Sequence, residues 1–245
     1  MHSLQPLTPL LMQFGHTNPR PHAPTPRLFW WMTLAFALLA LVPTVWTSVD
    51  VSAAGVFFGS ERQGQPAAWW WVELINLYIP LLFRWTVFVS IVLFALSFVW
   101  KRLAHLRFTL AFLALAITIG PGLVVNGVFK DNWQRARPYQ VTEFGGTQQF
   151  TRAAVMTDQC DNNCSFVSGH VACGFFLMSL MLLQPERRRQ WAVAGALGGL
   201  LIGFSRMADT AHWLSDVLWA GPITMVSSWL VWQALLRITK NEAGR

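Results

Sequence analysis

The stretch 79-IPLLFRWTVFVSIVLFALSFVW-100 decides the fold, because its 22 residues contain one charged side chain, Arg84. A helix that crosses a lipid bilayer needs about 20 consecutive, mostly apolar residues. We therefore interpret Ile79 to Trp100 as a membrane-spanning helix. On both sides of this stretch the chain alternates between further apolar runs and polar segments.

Five further apolar runs predict five further spans. They are Leu28 to Val49, Phe108 to Phe129, Ser168 to Leu183, Trp191 to Phe204 and His212 to Ile238. We expect Pro43 to kink the first run and Gly120-Pro121-Gly122 to interrupt the next, since neighbouring helices can satisfy the freed backbone groups. The run that starts at Trp191 is short for a span. The predicted fold is all-α: a polytopic membrane bundle of six transmembrane helices over residues 28–238, with a disordered tail at 1–27 and a second tail at 239–245.

Composition excludes the main alternatives to a membrane protein. Hydrophobic residues make up 54% of the 245 residues, charged residues make up 12%, and the mean hydropathy is +0.41. Soluble domains carry about 25% charged residues, and disordered chains combine low hydrophobicity with high net charge. The net charge of +7 would suggest nucleic acid as the partner of a soluble protein. Here we expect the lipid bilayer and no nucleic acid.

The distribution of positive charge predicts the orientation of the helices. Eleven of the 18 Lys and Arg residues flank the ends that would share one side of the membrane. They are Arg20, Arg27, Lys101, Arg102, Arg107, Arg187, Arg188, Arg189, Arg237, Lys240 and Arg245. Cytoplasmic loops carry the excess of Lys and Arg. We therefore expect both termini in the cytoplasm and the loop at residues 131–166 on the extracytoplasmic side.

The segment from Val51 to Tyr78 reads as interfacial, with room for a short helix lying on the membrane. It contains the run Trp69-Trp70-Trp71, and tryptophans concentrate at the headgroup level. We favour an aromatic belt as the role of this run, and the alternative is that it borders an opening for a lipid.

Three polar clusters fall on the predicted extracytoplasmic ends of the spans. The first runs from Lys130 to Pro138, the second is Ser168-Gly169-His170, and the third runs from Ser205 to Asp216. Ionisable groups at a membrane boundary are functional candidates. Each cluster alone has a simpler interpretation as a headgroup contact, a helix start or an interfacial histidine, but three clusters on one face point to a site.

The cations of these clusters predict an anionic ligand. Lys130, Arg137 and Arg206 would repel one another without one, and Arg presents a planar fork that suits phosphate oxygens. Ser168 and Gly169 open a predicted helix, whose free N–H groups also suit a phosphate.

The remaining residues of the clusters predict covalent phosphoryl transfer. His212 and Asp216 are four residues apart and share a helical face, so the carboxylate can orient the imidazole as a nucleophile. His170 can donate a proton to a leaving oxygen. The alternative is a metal held by His212 and Asp216, which the surrounding cations oppose. We therefore expect neither a metal nor a cofactor.

Taken together, the clusters resemble the type-2 phosphatidic acid phosphatase superfamily, whose pattern is K-x6-R-P, then P-S-G-H, then S-R-x5-H-x3-D. Lys130, Arg137 and Pro138 match the first part, and Ser205, Arg206, His212 and Asp216 match the third. Ser168, Gly169 and His170 match the second part, in which Val167 replaces the family's proline. The resemblance implies a metal-independent phosphatase with His212 as nucleophile, Asp216 as its orienting partner and His170 as acid. Lys130, Arg137, Ser168, Gly169 and Arg206 would hold the phosphoryl oxygens.

Finer features are similar to the lipid A 1-phosphatase-like branch of the superfamily. This branch is bacterial, so the resemblance implies an inner-membrane protein whose site faces the periplasm. They are Phe144-Gly145-Gly146, the run from Cys160 to Gly169 and Ser205-Arg206-Met207-Ala208. The resemblance leaves open undecaprenyl pyrophosphate, phosphatidylglycerol phosphate or phosphatidic acid as substrate, and transfer of the phosphoryl group to another lipid. A non-enzymatic transporter of lipid phosphates would need the cations but not the His170, His212 and Asp216 set. The oligomeric state stays open.

Cys160 and Cys164 lie in the loop that we place in the oxidising compartment, where disulfides persist. We expect a disulfide between them, with two free thiols as the alternative. Cys173 falls in a predicted span and reads as a packing residue.

Overall fold

The computed structural model describes residues 25–58 and 69–243, with side chains placed through Asn241. The main helices are α1 (Arg27–Val45), α2 (Thr47–Gly55), α3 (Trp70–Leu96), α4 (Arg107–Ile117), α5 (Gly169–Ser179), α6 (Arg188–Ala208) and α7 (Leu214–Ala243). A π-helix over Thr118–Lys130 continues α4. Short helical turns are Lys101–Leu106, Asp131–Trp133, Pro138–Gln140, Thr142–Phe144 and Pro185–Arg187. Within the described residues the only β-type pairing is an isolated bridge between Val141 and Gln148.

The prediction of an all-α membrane bundle is confirmed, whereas the number of six spans is not. Five helical segments of the described chain are long and apolar enough to cross a membrane: Arg27–Val45, Trp70–Leu96, Lys101–Gln140, Pro185–Ala208 and Leu214–Asn241. The predicted span from Ser168 to Leu183 is instead α5, a helix of 11 residues, followed by i→i+3 turns through Leu183. At 1.5 Å per α-helical residue and 2.0 Å per residue of the tighter turns, this segment is about 25 Å long.

Several predicted boundaries are wrong. α3 begins at Trp70, well before Ile79, and ends at Leu96. The segment predicted to be interfacial therefore belongs to α2 over 51–55 and to α3 over 70–78, while 59–68 lie outside the described residues. The fifth predicted span is α6, which has 21 residues and is not short. The last helix continues through Ala243, so most of the predicted tail at 239–245 is helical.

The first predicted span is interrupted at a different residue from the one expected. α1 runs through Pro43, and the break comes at Trp46, where ψ is 85°. α2 then continues the polypeptide and carries Asp50. The predicted N-terminal tail falls on 1–24, outside the described residues, except that Arg27 already belongs to α1.

The short helix α5 lies inside the protein. Nine of its 11 residues are buried, and its contact with α6 is lined by glycines. A Cβ atom on Gly174 would lie 2.8 Å from backbone atoms of Gly198 and Gly199 on α6. Small residues let membrane helices approach closely. This close contact holds the start of α5, with Ser168 to His170, beside the end of α6, which carries Arg206.

The π-helix places Lys130 at the same end of the molecule. Pro121 lies in its first turn and has no N–H to donate, and the Asn126 side chain donates to the Pro121 carbonyl at 2.7 Å. A Cβ on Gly120 would lie 3.0 Å from Ser227 Oγ of α7, so the glycine permits this close helix contact.

Candidate active site

Two asparagines that the sequence analysis did not select connect the predicted site residues. Asn163 binds two of the predicted cations: its Oδ1 accepts from Lys130 Nζ at 2.9 Å, and its carbonyl accepts from Arg137 Nε and Nη2 at 3.1 and 2.6 Å. The structure joins Cys160 and Cys164 by a disulfide, with Cα atoms 5.7 Å apart. Asn163 therefore lies in a short loop closed by the disulfide, and its hydrogen bonds orient the side chains of Lys130 and Arg137.

Asn76 of α3 connects the other half of the site. Its carbonyl contacts His170 Nε2 at 3.2 Å, and its side-chain oxygen accepts from Arg206 Nη1. Asp209 completes this group, because its Oδ2 accepts from Arg206 Nη1 at 2.8 Å and from Asn76 Nδ2 at 3.1 Å. The only sequence signal for Asn76 is a polar amide inside an apolar run.

The imidazole of His212 is held by a backbone carbonyl. His212 Nδ1 lies 2.8 Å from the Ser165 carbonyl and 3.7 Å from Asp216 Oδ2. A carbonyl can only accept, so Nδ1 carries the proton and Nε2 carries the lone pair. The hydrogen bond that we expected from Asp216 is thus made by Ser165. The sequence could not predict this contact, because the acceptor is a backbone carbonyl and not a side chain.

Asp216 instead organises the surroundings of His212. Its Oδ2 accepts from the Ser165 hydroxyl and from the Trp213 N–H, the latter at 2.9 Å. Its Oδ1 accepts from Arg135 Nη1 at 2.6 Å. The carboxylate therefore orients the two residues that flank the imidazole in space, Ser165 and Trp213.

Arg135 is the main residue of the site that the sequence analysis misplaced. It falls in the first polar cluster, which taken alone could be a loop that contacts headgroups, but its side chain is 0% exposed. It pairs with Asp216 and with Asp50 of α2, whose Oδ2 lies 2.8 Å from Arg135 Nη2. The available signal for Asp50 was an acidic residue directly after the first apolar run.

The electrostatics of the site favour a neutral His212. Burial lowers the pKa of His212 well below its usual 6.5, the contact with Asp216 opposes this, and Arg206, Arg137 and Lys130 lower the pKa further. The three predicted cations therefore all act on the predicted nucleophile. Burial also raises the pKa of Asp50, while Arg135 opposes that change.

Two buried donors at this site have no hydrogen-bond partner within the described part of the chain. They are Ser168 Oγ at the start of α5 and Arg206 Nε. A buried polar group without a partner is costly, and both groups are of the kind that donate to phosphate oxygens. The Gly169 position is also restricted, because a Cβ there would lie 2.7 Å from Asn126 Oδ1. Among the described residues no group of three or more His, Cys, Asp and Glu side chains is placed to hold a metal.

A groove of about 510 Å³ leads from the site along the spans. Its polar end is formed by Lys130, Asn163 and His170, and its apolar walls include Phe83 and Val87 of α3. Arg84 also lines the groove. Within the described residues, 25–58 and 69–243, its side chain forms no ion pair and no hydrogen bond. The groove lies between α3 and the π-helix, so it connects the end that carries Lys130 and His170 with the apolar middle of α3.

The run Trp69-Trp70-Trp71 does not line this groove. The rings of Trp69 and Trp71 stack on each other at 5.5 Å and on Phe204 of α6. Because these rings pack against α6, the alternative role that we considered for the run, the border of a lipid opening, has no support from the geometry.

Comparisons with known proteins identify the family. The model of the family described as "PAP2 superfamily" matches residues 109–240. The protein named "Lipid A 4'-phosphatase" from Francisella tularensis subsp. novicida (strain U112) is 33% identical over 199 residues, which are 79% of this chain and 89% of that protein. A protein of the same name from Rhizobium leguminosarum is 40% identical over 128 residues, 51% of this chain and 53% of its own length.

A solved structure is also similar. It is described as "Crystal structure of the first transmembrane PAP2 type phosphatidylglycerolphosphate phosphatase from Bacillus subtilis". The match has a TM-score of 0.45 and 18% identity, and covers 83% of this chain and 93% of that one.

The relatives correct one detail of the sequence analysis. The resemblance pointed to the lipid A 1-phosphatase-like branch, whereas the Francisella and Rhizobium relatives are named for the 4'-phosphate. The broader assignment stands, because the family match and the Francisella relative each cover more than half of the chain. The chain therefore belongs to the PAP2 superfamily and is a multi-pass bacterial membrane phosphatase of lipid phosphates.

Proposed function

We infer that the chain removes a phosphate from a lipid A-type lipid through a phosphohistidine at His212. The observation that carries this inference is the hydrogen bond from His212 Nδ1 to the Ser165 carbonyl, which leaves the Nε2 lone pair free. The same imidazole lies in the field of Lys130, Arg137 and Arg206. A neutral nucleophile surrounded by cations is suited to attack a phosphate group.

The reaction has two steps. His212 Nε2 attacks phosphorus, the bond between phosphorus and the lipid oxygen breaks, and His170 donates a proton to that oxygen. A water oxygen then attacks the phosphorus of the phosphohistidine while His170 takes up a proton from that water. The bond between phosphorus and His212 Nε2 breaks, Nε2 regains its lone pair, and inorganic phosphate leaves. During both steps Lys130, Arg137 and Arg206 would stabilise the phosphoryl oxygens, together with the Ser168 hydroxyl and the N–H of Gly169.

The groove supports a lipid as the substrate. The phosphate would occupy the end beside Lys130 and His170, and an acyl chain would lie against the apolar side chains of α3 and the π-helix. A phosphate ester with a long tail could then reach the site sideways from the bilayer. We place this end of the molecule at the periplasmic face, on the basis of the excess of Lys and Arg at the opposite ends.

The relatives' names favour the 4'-phosphate over the 1-phosphate of lipid A. The competing substrates are undecaprenyl pyrophosphate and phosphatidylglycerol phosphate. The competing reaction is transfer of the phosphoryl group to an acceptor lipid. We expect the purified protein to release free phosphate from bis-phosphorylated lipid A and to leave a mono-phosphorylated lipid. Mass spectrometry of that product identifies the position that lost its phosphate, and phosphate appearing on a second lipid would indicate transfer.

The chemical step is tested with His212→Ala, because His212 Nε2 is the atom that would bond to phosphorus. We expect turnover to be abolished in a folded protein. His105→Ala is the matched control, since His105 is an exposed histidine in the turn before α4, at the opposite end of the bundle. Activity of His212→Ala near that of the control would refute the phosphohistidine.

A further inference from the structure

Asp50 belongs to the active site although it lies far outside the matched family region of residues 109–240. It is carried by α2, the continuation of the first span beyond Trp46, and its side chain is 0% exposed. A carboxylate is rarely fully buried unless it is paired. Asp50 is not one of the residues of the family pattern, so that pattern assigns no function to its pairing.

Asp50 is held by two residues. Its Oδ2 accepts from Arg135 Nη2 at 2.8 Å and from the Ser215 hydroxyl, and its Oδ1 accepts from the Ser215 N–H at 2.8 Å. The guanidinium and the backbone N–H can donate only, so this environment matches an ionised carboxylate. Asp50 thereby connects α2 to the first turn of α7 at Ser215, the residue directly before Asp216.

Arg135 lies between Asp50 and Asp216 and is bound on several sides. Its Nη1 donates to Asp216 Oδ1 at 2.6 Å and its Nε donates to the Thr151 carbonyl at 2.8 Å. Its guanidinium carbon lies 5.3 Å from the centroid of the Trp213 ring. Two carboxylates thus share one guanidinium, and the buried group has one net negative charge.

This sharing affects His212 through Asp216. If Arg135 were paired with Asp216 alone, the two charges would cancel beside the imidazole. With Asp50 present, part of the guanidinium charge is satisfied elsewhere, and Asp216 keeps negative charge 3.7 Å from His212 Nδ1. Positive charge develops on the imidazole when Nε2 bonds to phosphorus, and a nearby negative charge stabilises it.

We propose that Asp50 is a positioning residue for the phosphatase reaction: through Arg135 and Ser215 it fixes the orientation and the effective charge of Asp216 beside His212. The N-terminal helices α1 and α2 would therefore be required for turnover as well as for membrane insertion. The inference rests on the proposed role of His212 as nucleophile.

The test uses Asp50→Asn in the full chain, because the amide has nearly the same shape and removes the charge. We expect kcat to fall about 100-fold, the scale of a displacement of about 1 Å at a catalytic group, whereas KM should change little because Asp50 does not touch the phosphate. The acid limb of the kcat/KM profile should also move to lower pH, since loss of a negative charge disfavours the protonated His212. Asp158→Asn, at an exposed carboxylate outside the loop closed by Cys160 and Cys164, is the matched control and should leave both parameters unchanged.

Three results decide the proposal. A folded Asp50→Asn protein with wild-type kcat and an unshifted pH profile would overturn it. A loss of activity equal to the loss of folded protein, measured by thermal unfolding in detergent, would also overturn it, because it would show a structural role alone. If His212→Ala stays active, the proposed function fails first; if His212→Ala is inactive and Asp50→Asn is fully active, only this inference fails.

Discussion

Gly174 on α5 permits the close approach of α5 and α6, the two helices that carry His170 and Arg206. Replacement of Gly174 by Ala would place a Cβ 2.8 Å from backbone atoms of Gly198 and Gly199. Backbone atoms cannot rotate away as a side chain can, so α5 and α6 must separate. Overpacking of this kind costs about 1–3 kcal/mol.

Gly198→Ala is a matched control on the facing helix. Its Cβ would meet nothing closer than 3.7 Å, which is ordinary van der Waals contact. Both variants gain the same helix propensity, about 1 kcal/mol relative to Gly. The difference between their free energies of unfolding therefore isolates the clash, and we expect Gly174→Ala to be less stable by about 1–3 kcal/mol.

Thermal unfolding in detergent and turnover measure the two consequences. At about 2–4 °C per kcal/mol for a chain of this size, the Tm of Gly174→Ala should lie about 2–12 °C below that of Gly198→Ala. Turnover should also fall, because separation of the helices moves His170 on α5 away from Arg206 on α6. Equal Tm values for the two variants would refute the close packing that positions α5.

Four further predictions address the site. The Tm of the wild type should fall more than that of His212→Asn between pH 7.5 and 5.5, because the unfolded chain takes up a proton near the usual pKa of 6.5 that buried His212 refuses; parallel curves would contradict the depressed pKa. Turnover should survive EDTA, and its loss with recovery on added Mg²⁺ or Zn²⁺ would establish a metal site instead. Replacing Cys160 and Cys164 by Ser should raise KM several-fold with a smaller change in kcat, since the loop between them aims two cations at the phosphate; unchanged KM would remove that role. Arg84→Leu should raise KM for long-chain lipid phosphates but not for a short soluble phosphate ester, because Arg84 lines the groove. The control Trp85→Leu, at an exposed side chain of α3, should change neither KM. Equal effects of the two variants on KM would show that Arg84 does not contact substrate.

The sequence alone was sufficient for the class of fold, and it indicated several of the chemical groups that the structure brings together. Hydropathy is a property of consecutive residues, so the apolar runs were visible without any tertiary contact. The pair His212 and Asp216 was visible for the same reason, because a spacing of four residues already places two side chains on one helical face. The charges of Lys130, Arg137 and Arg206 indicated an anion before their geometry was known.

The ends of the helices depended on tertiary packing. Polar residues flank the Trp69 to Trp71 run, so the sequence predicted an interfacial segment. In the structure α3 begins at Trp70, and the rings of Trp69 and Trp71 stack on Phe204 of α6. Likewise, the sequence predicted a span from Ser168 to Leu183, whereas α5 has 11 residues, nine of which are buried among other parts of the chain. Local hydropathy does not distinguish a helix that faces lipid from one that faces protein.

The partners of the reactive groups were decided by tertiary structure alone. Asp50 and Arg135 are 85 residues apart in the chain, and neither is informative without the other. The acceptor for His212 is the carbonyl of Ser165, a group that every residue possesses and no side chain identifies. Only the folded backbone brings these groups to hydrogen-bonding distance, because their contacts depend on how α2, the loop before α5 and the start of α7 pack against one another.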